Sequence, residues 1–120
     1  MNMQKRPDRP FGIVEWFRPG DHDRVETRLP EILATGAQYL RTHLSWADYL
    51  AEEGEAWFDW LLPRLAAEVE VLPCIHYTPP SLSRTGRSSG APLVLKDYAD
   101  FVDHVITRYG GHFEHVELWN

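Results

Sequence analysis

Four short apolar runs in this sequence each turn polar or aromatic toward the same end. "FGIVEWF" closes on Glu15, Trp16 and Phe17, and "AQYLRTHLSW" carries Arg41, His43 and Trp46. "EVLPCIHY" closes on His76 and Tyr77, and "HVELWN" on Trp119 and Asn120. Arg, His and Asn side chains supply directed hydrogen bonds, while an exposed Trp supplies a flat apolar surface. That mixture suits a sugar, which presents hydroxyls at its edges and C–H groups on its faces.

Each of these residues also has a purely structural account. Arg41 can neutralise Glu117 between strands and still face a ligand. His76 can be a satisfied core histidine, and Trp16 and Trp46 can plug the end of a sheet. Glu117 lies two residues inside its run and reads as an ion-pair partner rather than a catalytic acid. Trp57 reads as core. Cys74 reads as a small buried hydrophobe, because no neighbouring His or Cys gives it a metal or thiolate signature. The 6 histidines include no HxH or HExxH pair on one element, so neither a metal nor another cofactor is expected.

The elements that position these residues alternate in type. "FGIVEWF", bounded by proline on both sides, reads as a strand. "DRVETRLPEILATG" then places Val25, Leu29, Ile32 and Leu33 at helical spacing, with Asp23 and Glu26 as a capping box and Gly36 as terminator. Pro30 predicts a kink or a late start to this helix. The second strand, "AQYLRTHLSW", sets Leu40, Thr42 and Leu44 on one face and Tyr39, Arg41 and His43 on the other. "EAWFDWLLPRLAAEV" forms a helical stripe of Trp57, Leu61 and Leu65, widened by Phe58 and Leu62 and interrupted by Pro63. After "EVLPCIHY" comes a loop rich in Ser, Gly and Pro. "LKDYADFVDHVITRYGG" then aligns Tyr98, Phe101, Val102, Val105, Ile106 and Tyr109, and Gly110-Gly111 ends it. The order is βαβαβαβ, an α/β arrangement of parallel strands with short crossovers. A doubly wound sheet and the first half of a (β/α)8 barrel both fit it. No "GxGxxG" follows the first strand, which argues against a dinucleotide site. Residues 1–10 read as a tail and 11–120 as one domain.

The totals narrow the partners. The 120 residues carry 18 acidic and 12 basic side chains, a net charge of −6. That balance argues against nucleic acid or an anionic membrane as the main partner. The cluster of Lys5, Arg6 and Arg9 reads as a solvated arm. A single Cys precludes an internal disulfide, no secretory signal is legible, and no apolar run nears the ~18 residues of a membrane span. A cytoplasmic protein is the expectation.

The ordered set "LRTHLSW", "VLPCIHYTPP" and "VELWN" resembles the retaining glycoside hydrolases of clan A, a (β/α)8 superfamily of cellulases, mannanases and β-xylosidases. In that pattern strand two ends with an Arg, strand three carries a His, and strand four ends in Asn-Glu. Arg41, His76 and Asn120 fall on those places. "DYADFVDHVITRYGGHFEHVELWN" resembles most the β-xylosidase-like branch.

The resemblance implies two carboxylates roughly 5 Å apart, one acid/base and one nucleophile. It implies that Asn120 bonds the sugar 2-hydroxyl, that Arg41 orients the nucleophile and keeps it ionised, and that His76 lines the same subsite. Trp16 or Trp46 would form its walls. The acid/base Glu is expected immediately after Asn120 and the nucleophile on strand seven, so no catalytic residue lies within the chain. The expectation is therefore the N-terminal half of a glycosidase, silent by itself and prone to self-association through open sheet edges. A non-catalytic carbohydrate-binding or self-assembling half barrel is the alternative.

Overall fold

Leu40, Thr42 and Leu44 are wholly buried, and the residues between them are not equally so. This alternation sets the architecture. The computed structural model describes residues 9–120, so Lys5 and Arg6 lie outside the described residues. Four strands, β1 (Gly12–Val14), β2 (Tyr39–Ser45), β3 (Glu70–His76) and β4 (Glu117–Leu118), form one parallel sheet in sequential order. Helices α1 (His22–Ala34), α2 (Trp46–Leu50), α3 (Gly54–Ala66) and α4 (Leu95–Tyr109) connect them.

In register, Leu40 pairs with Val71 and Leu44 with Ile75. These four join Val25, Leu29 and Ile32 of α1, Phe58, Leu61, Leu62 and Leu65 of α3, and Phe101 and Val105 of α4 in one core. Each such side chain contributes roughly 1.5–3 kcal/mol by leaving water. The other face carries Val14, Tyr39 and Arg41, and there Val14 remains 52% and Tyr39 40% exposed. A sequential strand order with helices on a single face is barrel geometry. A doubly wound sheet reverses its order and covers both faces.

One local expectation is corrected, and two further features shape the helices. Helix α1 begins at His22, so Asp23 lies inside the first turn and no capping box forms. Asp21 instead accepts the amide of Arg18 at 3.0 Å. Both α1 and α3 run through their prolines, Pro30 and Pro63, without ending there. The missing amide costs one ladder bond in each, which the buried apolar stripes offset. Finally, a short helix, α2, follows β2 directly: Ser45 Oγ accepts from the Asp48 amide at 3.1 Å and caps it. The turn from α2 into α3 leaves no room for a side chain at Gly54, where a Cβ would sit 2.0 Å from the Asp48 carbonyl oxygen.

The long loop after β3 is self-supporting. The Thr78 amide donates to Ser88 O at 3.0 Å and its hydroxyl to Gly90 O at 2.7 Å. Arg84 N donates to Ala91 O and Leu93 N to Leu82 O, at 2.9 and 2.8 Å. No helix among the described residues is long and apolar enough to cross a membrane.

Candidate functional site

Strand alternation sends Arg41 and His43 of β2, Cys74 and His76 of β3, and Glu117 of β4 to the face the helices do not cover. Arg41 reaches across β3: its Nε donates to Glu117 Oε2 at 2.6 Å and its Nη2 to Oε1 at 2.8 Å. The same Nη2 donates to Asn120 Oδ1 at 3.2 Å, and the guanidinium lies over the Trp16 ring, 5.3 Å from its centroid. The fork of donors fits a carboxylate at two points. This hydrogen bonding holds the Glu117 carboxyl below its ordinary value and raises the Arg41 guanidinium above its own.

Beside this group the two histidines form an aromatic nest. Trp16 lies 5.0 Å from His43 and 5.6 Å from His76, and the imidazoles meet edge to face at 5.6 Å. His43 Nε2 donates to the Phe17 carbonyl at 2.9 Å, which fixes its tautomer, since a carbonyl only accepts. His43 Nδ1 and His76 Nε2 are buried with no hydrogen-bond partner among the described residues. His76 is 2% exposed, and burial, with the charges of His43 and Arg41, pushes its pKa down to about 4. It is neutral at pH 7. Tyr77 stacks on it at 3.8 Å. The Cys74 thiol, raised by burial, donates to the Trp119 carbonyl at 3.3 Å.

Of the residues read from the sequence, Arg41, Asn120, Trp16 and His76 come together. Trp46 does not, which is a correction. It is 3% exposed and stacks on Phe101 at 5.6 Å, with Tyr98 at 5.9 Å. Its place follows from parity, because Leu44 and the position two residues on share the helix-covered side. The sequence reading placed His43, Tyr77 and Trp119 at the strand ends but gave them no role in the site. For His43 the signal was present, since it shares the phase of Arg41. Tyr77 and Trp119 both follow a strand with positive φ, 64° and 67°, which spacing does not reveal.

A cavity of about 710 Å³ lies along the same open face, bordered by Arg41 but extending to Gly12, Tyr39 and Glu70 at the opposite strand ends. It also takes in Ala66 of α3, Val69 before β3 and residues 110–115 after α4. Among the described residues, no three His, Cys, Asp or Glu side chains group to hold a metal ion.

No protein-family model matches the sequence, and no curated protein matches it. Among solved structures, a family 39 glycoside hydrolase from the gut symbiont Bacteroides cellulosilyticus WH2 matches with a TM-score of 0.63 and 22% identity. The match covers 93% of this chain and 25% of that one, so the chain spans a quarter of that protein's length. The likeness is one of fold: four parallel strands with their helices, half of a (β/α)8 barrel.

Proposed function

We propose that the chain supplies the first four βα units of a retaining glycosidase barrel acting on β-linked sugars, of xylosidase or cellulase type. In this reading Arg41, His76, Asn120 and Trp16 line the sugar subsite. The observation that carries it is the convergence on one guanidinium of a carboxylate, an amide and an indole. The fold likeness to a family 39 glycoside hydrolase agrees with it.

The chemistry assigned to each group follows from its contacts. Asn120 Oδ1 accepts from Arg41, which leaves its NH2 free to donate to the sugar 2-hydroxyl. Arg41, a fixed cation, orients a carboxylate nucleophile and keeps it ionised. His76, a neutral ring packed against Trp16 and Tyr77, shapes the wall of the subsite from beneath. Glu117 and Glu15 are engaged by Arg41 and Arg24 and do not serve as the catalytic pair. The acid/base and nucleophile belong to residues outside these 120, so the 120-residue chain alone is hydrolytically silent.

The test is the residue that follows Asn120 in the coding sequence, together with hydrolysis of an aryl β-xyloside by a chain that carries four further βα units. A Glu at that place, whose replacement by Gln abolishes turnover, supports the reading. Turnover by the purified 120-residue chain, or a longer barrel indifferent to that substitution, overturns it.

A further inference from the structure

Tyr77 is the first residue beyond β3, and its φ of 64° places a bulky L-residue in the left-handed region. That conformation is costly for any residue with a Cβ and is held only where the surroundings over-determine it. Here they do. The Tyr77 carbonyl accepts the Ala47 amide at 2.8 Å, and Thr78, buried next to it, is tied to Ser88 and Gly90 in the following loop. A turn that needed only this backbone geometry would take Gly at no steric cost.

The constraint fixes the direction of the ring. Tyr77 lies nearly parallel to His76, at 3.8 Å and 20°, and edge-on to His43 at 6.0 Å. Its neighbours His76 and Thr78 are 2% and 0% exposed, whereas Tyr77 is 36% exposed. With one face of the ring on the imidazole, the residue as a whole stays open to solvent. The ring therefore presents a preset apolar plane over the histidine whose buried Nε2 has no partner.

We infer that Tyr77 is a substrate-positioning residue, its strained backbone holding an aromatic platform on which the C–H face of a sugar ring rests. The inference rests on the proposed glycosidase reading and adds to it a residue that neither the motif resemblance nor strand spacing assigns. The platform acts through its π face, so the phenol hydroxyl is dispensable and the ring is not.

The test is titration of the 120-residue chain with xylobiose and cellobiose at millimolar concentrations, followed by amide chemical shifts, with thermal melts run in parallel. Tyr77→Phe is expected to bind within about twofold of the parent and Tyr77→Ala at least tenfold more weakly. Tyr77→Gly separates platform from scaffold. It relieves the strained φ, so its Tm is expected to match or exceed the parent's while its binding falls as far as that of Tyr77→Ala. If the parent binds, Arg41→Ala weakens it and Tyr77→Gly does not, the platform is refuted and the glycosidase reading stands. If the parent shifts with neither sugar, the platform is refuted, and the glycosidase reading is decided separately by turnover of the longer barrel.

Discussion

Arg41 on β2 and Glu117 on β4 are joined by two hydrogen bonds, 2.6 and 2.8 Å long, that pass over the intervening strand β3. The pair couples the short last strand to the middle of the sheet. Three side chains from two segments, Glu117 and Asn120 at the end of the chain and Trp16 after β1, meet at this guanidinium.

Acid should loosen this coupling. The folded Glu117 carboxyl sits below its unfolded value, so its contribution is present above that unfolded value, about 4.3. The contribution is lost as pH falls through the lower folded value. Melting curves recorded between pH 7 and pH 3 should show a shallower acid limb for Glu117→Gln than for the parent. Parallel limbs would mean that the ion pair contributes nothing to folding.

His76 acts in a different window. Its folded pKa of about 4 lies below the ordinary value near 6.5. Between the two, the unfolded chain binds the extra proton, so stability is complete above about 6.5 and declines as pH falls toward 4. Each unit of difference corresponds to about 1.4 kcal/mol. The His76 ring resonances should stay at neutral positions at pH 6, and His76→Gln should flatten the decline. Titration of the ring near 6.5 would contradict its burial.

Trp46 should behave as core. Trp46→Ala removes an indole stacked between α2 and α4 and is expected to cost about 3–5 kcal/mol in urea unfolding. Trp46→Phe, which keeps a ring against Phe101, should recover much of this loss. An alanine variant as stable as the parent would return Trp46 to the candidates for ligand contact.

The uncovered face predicts association. Val14 and Tyr39 expose apolar surface beside the cavity, and both outer strands leave backbone groups unpaired. Sedimentation should give a weight-average mass that rises with concentration, and Val14→Glu should suppress the rise. A mass fixed at 13.9 kDa over a hundredfold range of concentration would exclude self-pairing by this face.

The strand–helix rhythm was legible because burial in this sheet is one-sided along β2 and continuous along the helices. Alternation placed Leu40 and Leu44 opposite Arg41 and His43, and helical spacing found the buried stripes at Val25, Leu29 and Ile32 and at Phe101, Val105 and Tyr109. The choice between barrel and doubly wound sheet was not legible, because both share the order βαβαβαβ. It is settled by strand order and by which sheet face the helices cover, both properties of long-range pairing.

Within the site, Arg41 and His76 followed from strand phase, and Trp16 and Asn120, just beyond β1 and β4, from residue type at the strand ends and the family resemblance. Arg41 and Glu117 follow from parity, and their pairing was one of the open readings. Trp46 was misplaced because it was grouped by residue type with the polar strand end, although it shares the side of Leu44 and begins α2 after the Ser45 cap. Tyr77 owes its direction to a positive φ set by Ala47 and the following loop, contacts that local spacing does not encode.

The segment from Thr78 to Leu93 closes on its own amides and carbonyls and meets the strand end through the bonds of Thr78 to Ser88 and Gly90, so changes confined to residues 84–87 leave those bonds in place. Sequences inserted or exchanged there should leave the ring of Tyr77 undisturbed. The fold thus offers a graft point at which new recognition elements can be trialled beside a fixed floor.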